Sequence, residues 1–408
     1  MNKKKIINDP VYGFISIPTA LVFDIIEHPY FQRMRYIKQL GMTHLVYPGA
    51  LHTRFHHALG AMHLMGMAVE TLRNKDHEIS DEEEEAVIIA ILLHDIGHGP
   101  FSHALEEMIV SGLSHEDISV LLMNKLNEKF GGRLTMAISI FNGTYPRKFL
   151  RQLVSSQLDM DRMDYLNRDS FFTGVSEGVI SSDRIIKMLN VKDDHIAVEE
   201  KGIYSVEKFL IARRLMYWQV YLHKTVIAAE QLLSKILKRS RELALKQKLL
   251  FPTPALSLFL EKPVTRDEFI NESHYLETFA SLDDTDIMAA VKVWAGNEDF
   301  ILAKLCRDLV ERNLYKVEIT VEPPDKNFIK QLTEAAVKKY GITSEEATYF
   351  VFGETIRNDA YKPGDGNIAI LMKNGLLNDI ANASDNSNLG ALSKTVKKFI
   401  LCYNKELV

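Results

Sequence analysis

Apolar residues recur at helical spacing through most of this chain, from about residue 20 to residue 310. Thr19 can cap a first helix, and Ser80 precedes a run of acidic residues that suits a helix N-terminus. The predicted helices cover residues 19–26, 31–40, 55–73, 80–94 and 205–246. The pattern therefore predicts a large helical body.

The spacing of apolar residues changes after Asn313, where alternation at every second position begins to predict strands. The predicted elements are a hairpin at 198–202, strands at 316–321, 348–352 and 367–372, a helix at 328–340, and a polar loop at 382–388 before a C-terminal helix. We therefore predict a mostly α-helical fold, with a helical body over residues 1–310 and a small α+β lobe over residues 311–408.

Composition excludes several classes of protein. The chain has 408 residues, of which 46% are hydrophobic and 25% charged, and these proportions are typical of a soluble globular protein. Its net charge of -5 does not favour broad electrostatic binding to nucleic acid. Cys306 and Cys402 are too few for a disulfide framework. With no apolar signal region and no membrane-length apolar run, we expect a cytoplasmic protein without membrane partners.

His94 and Asp95 follow an apolar helical run and can offer one nitrogen and one carboxylate oxygen to a metal ion. Further donors within reach of a compact fold are His57 and Asp161. This mixed set of nitrogen and oxygen donors suits Mn, Fe, Ni, Zn or Co, and four ligands on an octahedral ion leave two positions open. The alternative is that His94-Asp95 is a chance dipeptide at a helix end.

Further histidines cluster around this dipeptide. His98 and His103 share a glycine-rich turn with His94, and glycines there allow the backbone to approach a ligand. His103 and Glu106 are spaced so that a carboxylate would orient an imidazole, and His115 stands beside a glutamate. Each histidine alone would be interpreted as an ordinary core or surface residue, but their clustering favours a catalytic group.

The segment 158–169 places several polar side chains on one face, if it is a helix. The residues on that face are Asp161, Arg162, Tyr165, Arg168 and Asp169. Such a face could ligate a metal, bind a phosphate and hold a sugar hydroxyl, or it could be a solvent-exposed ion-pair network. Arg54, on the helix of His57, and Arg213, on a shared face with Tyr221, are further candidates to bind an anion.

These motifs resemble the HD-domain superfamily over roughly residues 4 to 235, and most closely its deoxynucleoside triphosphate (dNTP) triphosphohydrolases of the sterile-alpha-motif-and-HD and dGTPase-like types. The matching motifs are Ile7-Asn-Asp-Pro-Val-Tyr-Gly13, Phe31-Gln-Arg-Met-Arg-Tyr-Ile-Lys-Gln-Leu-Gly41, Arg54-Phe-His-His-Ala-Leu-Gly60, the block around His94, Asp161-Arg-Met-Asp-Tyr165 and Tyr221-Leu-His-Lys224. The resemblance implies an HD-domain helical bundle that hydrolyses dNTPs to a deoxynucleoside and triphosphate.

The resemblance also implies a role for each matching residue. The implied ligands of one divalent metal (Mn, Fe, Ni, Zn, Co or Mg) are His57, His94, Asp95 and Asp161. The implied catalytic group is His98, His103, Glu106 and His115. The implied substrate-binding residues are Gln39, Leu40, Arg54, Arg162, Tyr165, Asp169, Arg213 and Tyr221. Arg162 stands where the family commonly has lysine.

The family often carries an allosteric nucleotide site between subunits. The residues that match parts of it are Lys5, Asn8, Gln32, Arg35, Arg184, His223 and Lys224. Three features depart from the pattern: Glu27 replaces an aspartate that reads guanine, Gln219 replaces an arginine, and the acidic segment 197–201 replaces a basic one. The resemblance implies a homo-oligomer, dimer or tetramer, and an activating nucleotide, against which these three departures count.

Three functions stay open at this point. The first is a metal-dependent dNTP triphosphohydrolase that acts by water attack at the α-phosphorus. The second is an HD phosphohydrolase for another phosphorylated nucleotide or metabolite, such as a nucleoside monophosphate, a cyclic dinucleotide or an alarmone. The third is a non-catalytic nucleotide sensor. The three phosphate-binding arginines favour a polyphosphate, and the intact catalytic group favours an enzyme over a sensor.

Overall fold

The computed structural model describes residues 5–101, 112–248, 250–358, 361, 366–385 and 396–408. Within these ranges the helices are α1 (Ala20–Ile26), α2 (Pro29–Gln32), α3 (Arg54–Arg73), α4 (Asp81–Leu93), α5 (His115–Lys129), α6 (Thr135–Asn142), α7 (Lys148–Val154), α8 (Met160–Thr173), α9 (Ser182–Lys187), α10 (Ile203–Met216), α11 (Lys224–Leu245), α12 (Pro254–Glu261), α13 (Arg266–Asn271), α14 (Ser273–Phe279), α15 (Asp284–Trp294), α16 (Phe300–Val310), α17 (Lys326–Tyr340) and α18 (Ile380–Ala383). The predicted mostly helical fold is confirmed.

In the described part of the chain, nine strands form three small sheets. The strands are β1 (Ile6–Asp9), β2 (Gly13–Ser16), β3 (Leu189–Lys192), β4 (His195–Glu199), β5 (Lys316–Thr320), β6 (Val351–Asn358), β7 (Ala369–Leu371), β8 (Leu377–Asp379) and β9 (Val396–Tyr403). Their order is β1-β2, β3-β4-β7-β8 and β5-β9-β6. Strand β7 pairs in parallel with β4, so residues beyond 310 complete a sheet that the helical body begins.

The helices that carry the predicted metal ligands form the centre of the molecule. Helix α3 packs against α4 and α8, and its residues His57, Leu59 and Met62 are buried. Ser80 caps α4 by accepting from the backbone N–H of Glu83, as its position before an acidic run predicts. Thr19 caps α1 in the same way. The apolar core continues from these helices to residues of β5 and β7, which belong to the C-terminal part of the chain.

Four predicted elements are wrong in detail. Residues 31–40 do not form one helix, because α2 ends at Gln32 and passes into a 3-10 turn that ends at Tyr36. The helix predicted over 205–246 is divided by a π turn at Tyr217–Tyr221, and His223 then caps α11. The hairpin turns at 193–194, where both aspartates have positive φ, rather than at 198–202. Residues 396–403 form β9 instead of part of a C-terminal helix, because β9 is the central strand of its sheet.

Among the described residues, none of the helices combines the length and the apolar character that a membrane span requires.

Candidate metal centre and active site

His57 and Asp161 face each other across the contact between α3 and α8. The Nε2 atom of His57 lies 3.1 Å from Oδ1 of Asp161 and 3.4 Å from Nε2 of His94. The His94 Nε2 lies 3.5 Å from the same Asp161 oxygen and 3.4 Å from Oδ1 of Asp95. Adjacent ligands on one ion with bonds of about 2.1 Å stand roughly 3 Å apart or slightly more. His57, His94 and Asp161 therefore present donor atoms at separations that a single divalent ion fits. Asp95 adjoins this group through His94 but clusters with His98 and His115, so its place as a fourth ligand stays a prediction.

The other nitrogen of each imidazole is held by the protein. His57 Nδ1 lies 2.7 Å from Oδ2 of Asp164, and His94 Nδ1 lies 2.6 Å from the carbonyl oxygen of Ile91 at the end of α4. These contacts fix the ring orientation and leave Nε2 directed at the shared point. A carboxylate or a carbonyl behind the imidazole is the usual support of a metal-binding histidine, so the donor chemistry fits a metal.

Electrostatics at His57 agree with this arrangement. Burial lowers the pKa of the His57 imidazole, but hydrogen bonds and charges from Asp161 and Asp164 outweigh it and raise the pKa to about 10. For the Asp161 carboxyl, burial alone would raise the pKa. Its hydrogen bonds and charge interactions with His57 and His94 outweigh burial and hold the pKa well below the ordinary value. Carboxylates stay charged here, and a cation that binds between them takes the place of the imidazole proton.

A second group of donors lies beside the first. The Nε2 atom of His98 is 3.3 Å from Oδ1 of Asp95, and the rings of His98 and His115 stack with centroids 3.9 Å apart. Arg54 donates to the other oxygen of Asp95. Asp95, His98 and His115 thus form a cluster of titratable groups on one side of the predicted metal. His103 and Glu106, also predicted to be catalytic, lie outside the described residues.

The turn that carries His98 is packed closely on α5. Gly97 donates its backbone N–H to Oγ of Ser119, which donates in turn to the carbonyl of His94. A Cβ on Gly97 would stand 2.2 Å from the carbonyl oxygen of His115. The glycine is therefore required by this close approach, which sets the distance between His98 and His115.

Asp169 of α8 binds two side chains that are distant from it in the sequence, Tyr221 and His52. Its Oδ2 accepts from the Tyr221 hydroxyl at 2.7 Å, and its Oδ1 lies 2.7 Å from Nε2 of His52. Burial and the neighbouring Asp169 raise the pKa of Tyr221 well above its ordinary value, so the phenol keeps its proton and donates. The Tyr165 and Tyr221 rings stand 6.3 Å apart. The structure thus brings Tyr165, Asp169 and Tyr221 together.

Two arginines near Tyr165, Arg162 and Arg213, differ in how far their hydrogen-bond donors are satisfied. Arg162 donates to the carbonyl of Ser156 at 2.7 Å and lies 3.5 Å from the Tyr165 hydroxyl. Arg213 is buried, and it lies near Tyr165. Burial raises the pKa of the Tyr165 phenol, and the nearby charge of Arg213 opposes that rise only in part. Nε and Nη1 of Arg213 have no hydrogen-bond partner among the described residues. A buried guanidinium with unpaired donors indicates a place for an anionic ligand.

Gln39 and Leu40 follow the 3-10 turn that ends at Tyr36. The Gln39 backbone N–H donates to the carbonyl of His52 at 3.0 Å, which joins this segment to the residues just before α3. The Gln39 side-chain oxygen is buried without a hydrogen-bond partner in the described ranges. Leu40 is half-buried and packs against the core. Both residues therefore lie on the segment that enters the site beside Arg54.

Two residues of α8 have roles that the predicted polar face of segment 158–169 does not indicate. Arg168 is fully buried, and it binds Asp164 at 2.9 Å and Asp9 at 2.7 Å, so it is not available to a phosphate. Asp164 was not predicted, although it orients His57. The signal was its spacing, three residues after Asp161 and four before Arg168. His52, which holds Asp169 and stacks on Phe172 with centroids 4.5 Å apart, was missed as well.

The residues predicted to form an allosteric site lie on several surface elements. Arg35 donates to the Gln32 side chain at 2.8 Å and stands over the Phe55 ring, and the Lys5 ammonium stands over Phe23. Arg184 donates to the Lys201 carbonyl at 3.2 Å. Asn8 and Lys224 are exposed, and His223 caps α11. Gln32 and Arg35 are thus brought together, and their role as a nucleotide site stays a prediction.

Comparison with known proteins identifies the family. The HD domain model matches residues 54–169, which include all four predicted ligands, and the model of the HD associated region matches residues 180–250. Uncharacterized protein YwfO of Bacillus subtilis is 32% identical over 395 residues, which cover 94% of this chain and 88% of that protein. The chain belongs to the HD-domain family. The resemblance of its motifs to HD-domain phosphohydrolases is therefore confirmed.

Two further relatives of this HD-domain protein are informative. The crystal structure of a phosphohydrolase from Bacteroides thetaiotaomicron is 53% identical, covers 99% of this chain and 100% of that one, and gives a TM-score of 0.96. The deoxynucleoside triphosphate triphosphohydrolase SAMHD1 homolog of Dictyostelium discoideum is 35% identical over 239 residues, which cover 54% of this chain and 46% of that protein. The likeness to the second is thus confined to about half of each chain.

Gly60, within the HD domain, gives a direct test of the support behind His57. A Cβ on this residue would stand 2.0 Å from Oδ1 of Asp164 and 2.2 Å from Nη2 of Arg168. We expect Gly60→Ala to lower the free energy of unfolding by about 1–3 kcal/mol through overpacking. Because Asp164 must move, metal affinity should fall about 10- to 100-fold. Denaturant titration and metal titration measure the two effects.

Gly66 provides the matched control on the same helix. A Cβ there meets nothing within 4 Å. Gly66→Ala should therefore stabilise the protein by about 0.5–1 kcal/mol, because alanine is the better helix former, and leave metal affinity unchanged. Equal destabilisation by both substitutions would contradict a specific contact between Gly60 and the Asp164–Arg168 pair.

Proposed function

We propose that this protein is a metal-dependent deoxynucleoside triphosphate triphosphohydrolase, in which water attacks the α-phosphorus and releases a deoxynucleoside and triphosphate. The observation that carries the proposal is the buried guanidinium of Arg213, which has unpaired donors near Tyr165, a residue whose electrostatic neighbours also include Asp161 of the metal group. A polyphosphate supplies the oxygens that such donors need. The Dictyostelium discoideum relative, a deoxynucleoside triphosphate triphosphohydrolase by name, supports this class of substrate.

The proposed phosphate site combines three cations. Arg54 is held by Asp95, Arg162 lies against Tyr165 on α8, and Arg213 approaches from α10. Guanidinium groups match the planar pairs of oxygens on phosphates and stay charged at all ordinary pH values. Three of them, arranged around one site, would offset the charge of a triphosphate better than that of a monophosphate. A divalent ion at His57, His94, Asp95 and Asp161 would add charge neutralisation and activate water.

The residues of the protein supply the remaining chemistry. His98 and His115, stacked beside Asp95, would position the water or the α-phosphate. As the water oxygen bonds to the α-phosphorus, the bond from phosphorus to the 5′-oxygen breaks. His103, oriented by Glu106, would donate the proton that this 5′-oxygen needs to leave as a hydroxyl. These last two roles are proposed from the sequence motif.

The sugar would lie between Leu40 and Asp169. Asp169 and Tyr221 already form a hydrogen bond, so a 3′-hydroxyl would join an existing polar group. Gln39 has a buried oxygen without a partner in the described ranges, and it would accept from the nucleotide. Leu40 would present an apolar wall to C2′, where a ribose hydroxyl would be left unpaired, at a cost of roughly 1–3 kcal/mol.

The test is ion-pair chromatography of purified protein with each dNTP, each ribonucleotide and Mn²⁺. We expect inorganic triphosphate and a deoxynucleoside as products, and dNTPs should exceed ribonucleotides by about ten- to a hundredfold in kcat/KM, from the cost of the unpaired hydroxyl. Release of orthophosphate or pyrophosphate, or activity confined to a monophosphate, would assign a different HD phosphohydrolase. Nucleotide binding without turnover would assign a sensor.

The proposal includes the assembly and location that the sequence predicts. The protein would be a cytoplasmic homo-oligomer, a dimer or a tetramer, with a second nucleotide near Lys5, Asn8, Gln32, Arg35, Arg184, His223 and Lys224. Light scattering with and without dGTP or GTP tests this part separately from catalysis.

A further inference from the structure

A short segment carries the second cluster of titratable groups, and we name residues 95–101 the catalytic strap. It begins at Asp95, includes His98, and ends at Phe101, whose φ of 51° lies in the left-handed region. A non-glycine residue in that region is strained and persists only where the surrounding structure holds it. The contacts that hold the strap therefore control where His98 and Asp95 stand.

Arg33 is the first residue that holds the strap. It is buried, and its Nη2 donates to the carbonyls of Ile96 at 2.8 Å and His98 at 3.0 Å. Its Nη1 donates to the carbonyl of Leu282 at 3.1 Å. One guanidinium thus joins two carbonyls of the strap to the residue that precedes α15 by two positions.

Asp284, the first residue of α15, is the second residue that holds the catalytic strap. Its Oδ1 accepts from the backbone N–H of Phe101 at 3.1 Å, at the strained end of the strap. Its Oδ2 accepts from the backbone N–H of Lys38 at 3.0 Å and from the Lys38 ammonium at 3.3 Å. Asp284 as a whole residue is 3% exposed, so these bonds are shielded from water. Asp284 thereby joins the strap to the segment that leads into Gln39 and Leu40.

The segment around Lys38 is itself tied to the entrance of α3. The backbone of Gln39 donates to His52, and that of Arg54 donates to Ile37 at 2.9 Å. A single carboxylate therefore sets the separation between the catalytic strap and the residues that the proposed nucleotide would contact. Residues 282–284 lie beyond both regions that the family models match, which end at residue 250.

We infer that Arg33 and Asp284 are positioning residues, a clasp through which the helices after residue 250 fix the catalytic strap relative to the substrate segment. The inference rests on the proposed function for its kinetic readout. Neither residue touches the predicted metal ligands' donor atoms. Loosening either bond would move His98 and Asp95 without removing a ligand or a phosphate contact, and a misplacement of 1 Å at a reacting group can cost about 10²-fold in rate.

The test uses Asp284→Asn and Arg33→Lys in the full-length, Mn²⁺-loaded protein. Asp284→Asn keeps the volume but replaces one acceptor oxygen by an amide nitrogen, which donates and does not accept. We expect kcat at saturating Mn²⁺ to fall about 10²-fold while KM stays at the wild-type value, because the phosphate contacts are unchanged. Metal affinity should fall together with kcat, because Asp95 lies on the strap. Hydrogen–deuterium exchange should become faster in peptides that cover residues 95–101. Rates are measured with a dNTP and with bis(p-nitrophenyl) phosphate, a probe that does not depend on the natural substrate.

Asp286→Asn is the control, because Asp286 lies in the same first turn of α15 and asparagine can still accept from the backbone N–H of Asp283. This variant should match the wild type in kcat and exchange. Wild-type exchange over residues 95–101 in both clasp variants, or equal losses of rate in Asp286→Asn, would overturn the inference. If the wild type hydrolyses no dNTP, the proposed function fails, and the exchange comparison still decides the clasp. Arg33→Lys decides it if Asp284→Asn does not fold.

Discussion

Asp161→Ala should remove the bound divalent ion and lower kcat by about 10³-fold or more. Asp161 Oδ1 lies within 3.5 Å of both Nε2 atoms, so it is the oxygen donor shared by His57 and His94. An ion that activates water and polarises a phosphate contributes several kcal/mol to the transition state. At about 1.4 kcal/mol for each tenfold in rate, its loss amounts to at least three decades. The substitution also leaves two imidazoles facing each other without a shared carboxylate.

Elemental analysis of the purified protein and product chromatography measure the two effects. The fold should persist, because the Asp161 side chain is 27% exposed and makes its contacts within the site. Asp183→Ala, at an exposed aspartate in the first turn of α9, is the control and should keep both metal and turnover. A full equivalent of metal with normal turnover in Asp161→Ala would refute the assignment of this ligand.

Arg213→Gln should raise KM for a dNTP and lower kcat/KM by about 10²-fold. The Nε and Nη1 donors have no partner among the described residues, so the proposed polyphosphate would be their first acceptor. Hydrogen bonds to charged groups are worth roughly 1.5–3 kcal/mol each, and the buried location protects them from competition with water. Because the phosphate is bound in both the ground and transition states, most of the loss should appear in KM.

Arg214→Gln, at the next position of α10, is the matched control. It removes the same charge from the same helix, but Arg214 is more exposed than Arg213. We expect nearly wild-type kinetics from this variant. Steady-state rates over a range of dNTP concentrations separate the two outcomes. A loss of the same size in both variants would indicate a general effect of charge on α10, and an unchanged KM in Arg213→Gln would remove Arg213 from the phosphate site.

Much of the helical body could be predicted because its signals are local. The apolar stripe of α11 and the Ser80–Glu83 capping box at the start of α4 lie within a few residues of the structures they specify. The strand β9 could not be predicted as readily, because its conformation depends on partner residues that lie 38 or more positions earlier (396 − 358) in two other strands. Strand propensity is largely a matter of such neighbours.

The residues of the candidate site also divide into those that a sequence motif predicts and those whose partners are distant in the chain. The grouping of His57, His94, Asp95 and Asp161 followed from a family motif, and the structure brings the donor atoms of His57, His94 and Asp161 together, with Asp95 beside His94. A helical wheel, however, gives the face of a side chain and not its partner. It placed Arg168 beside Asp161, whereas Arg168 is satisfied by Asp9 from β1 and by Asp164. No local pattern links residue 9 to residue 168.

The parallel pairing of β4 with β7 bears on how the chain folds as it is made. Ala197 pairs with Ala369, which is synthesised 172 positions later (369 − 197). The β3-β4 hairpin therefore cannot complete its sheet until that part of the chain has been made. Contacts of such long range form slowly, and until they form one edge of β4 offers unpaired backbone groups to other chains. Polar and charged side chains on that hairpin, among them Lys192, His195 and Glu199, should therefore protect the nascent protein from self-association. Their replacement by apolar residues should lower the yield of soluble protein more than the stability of molecules that have already folded.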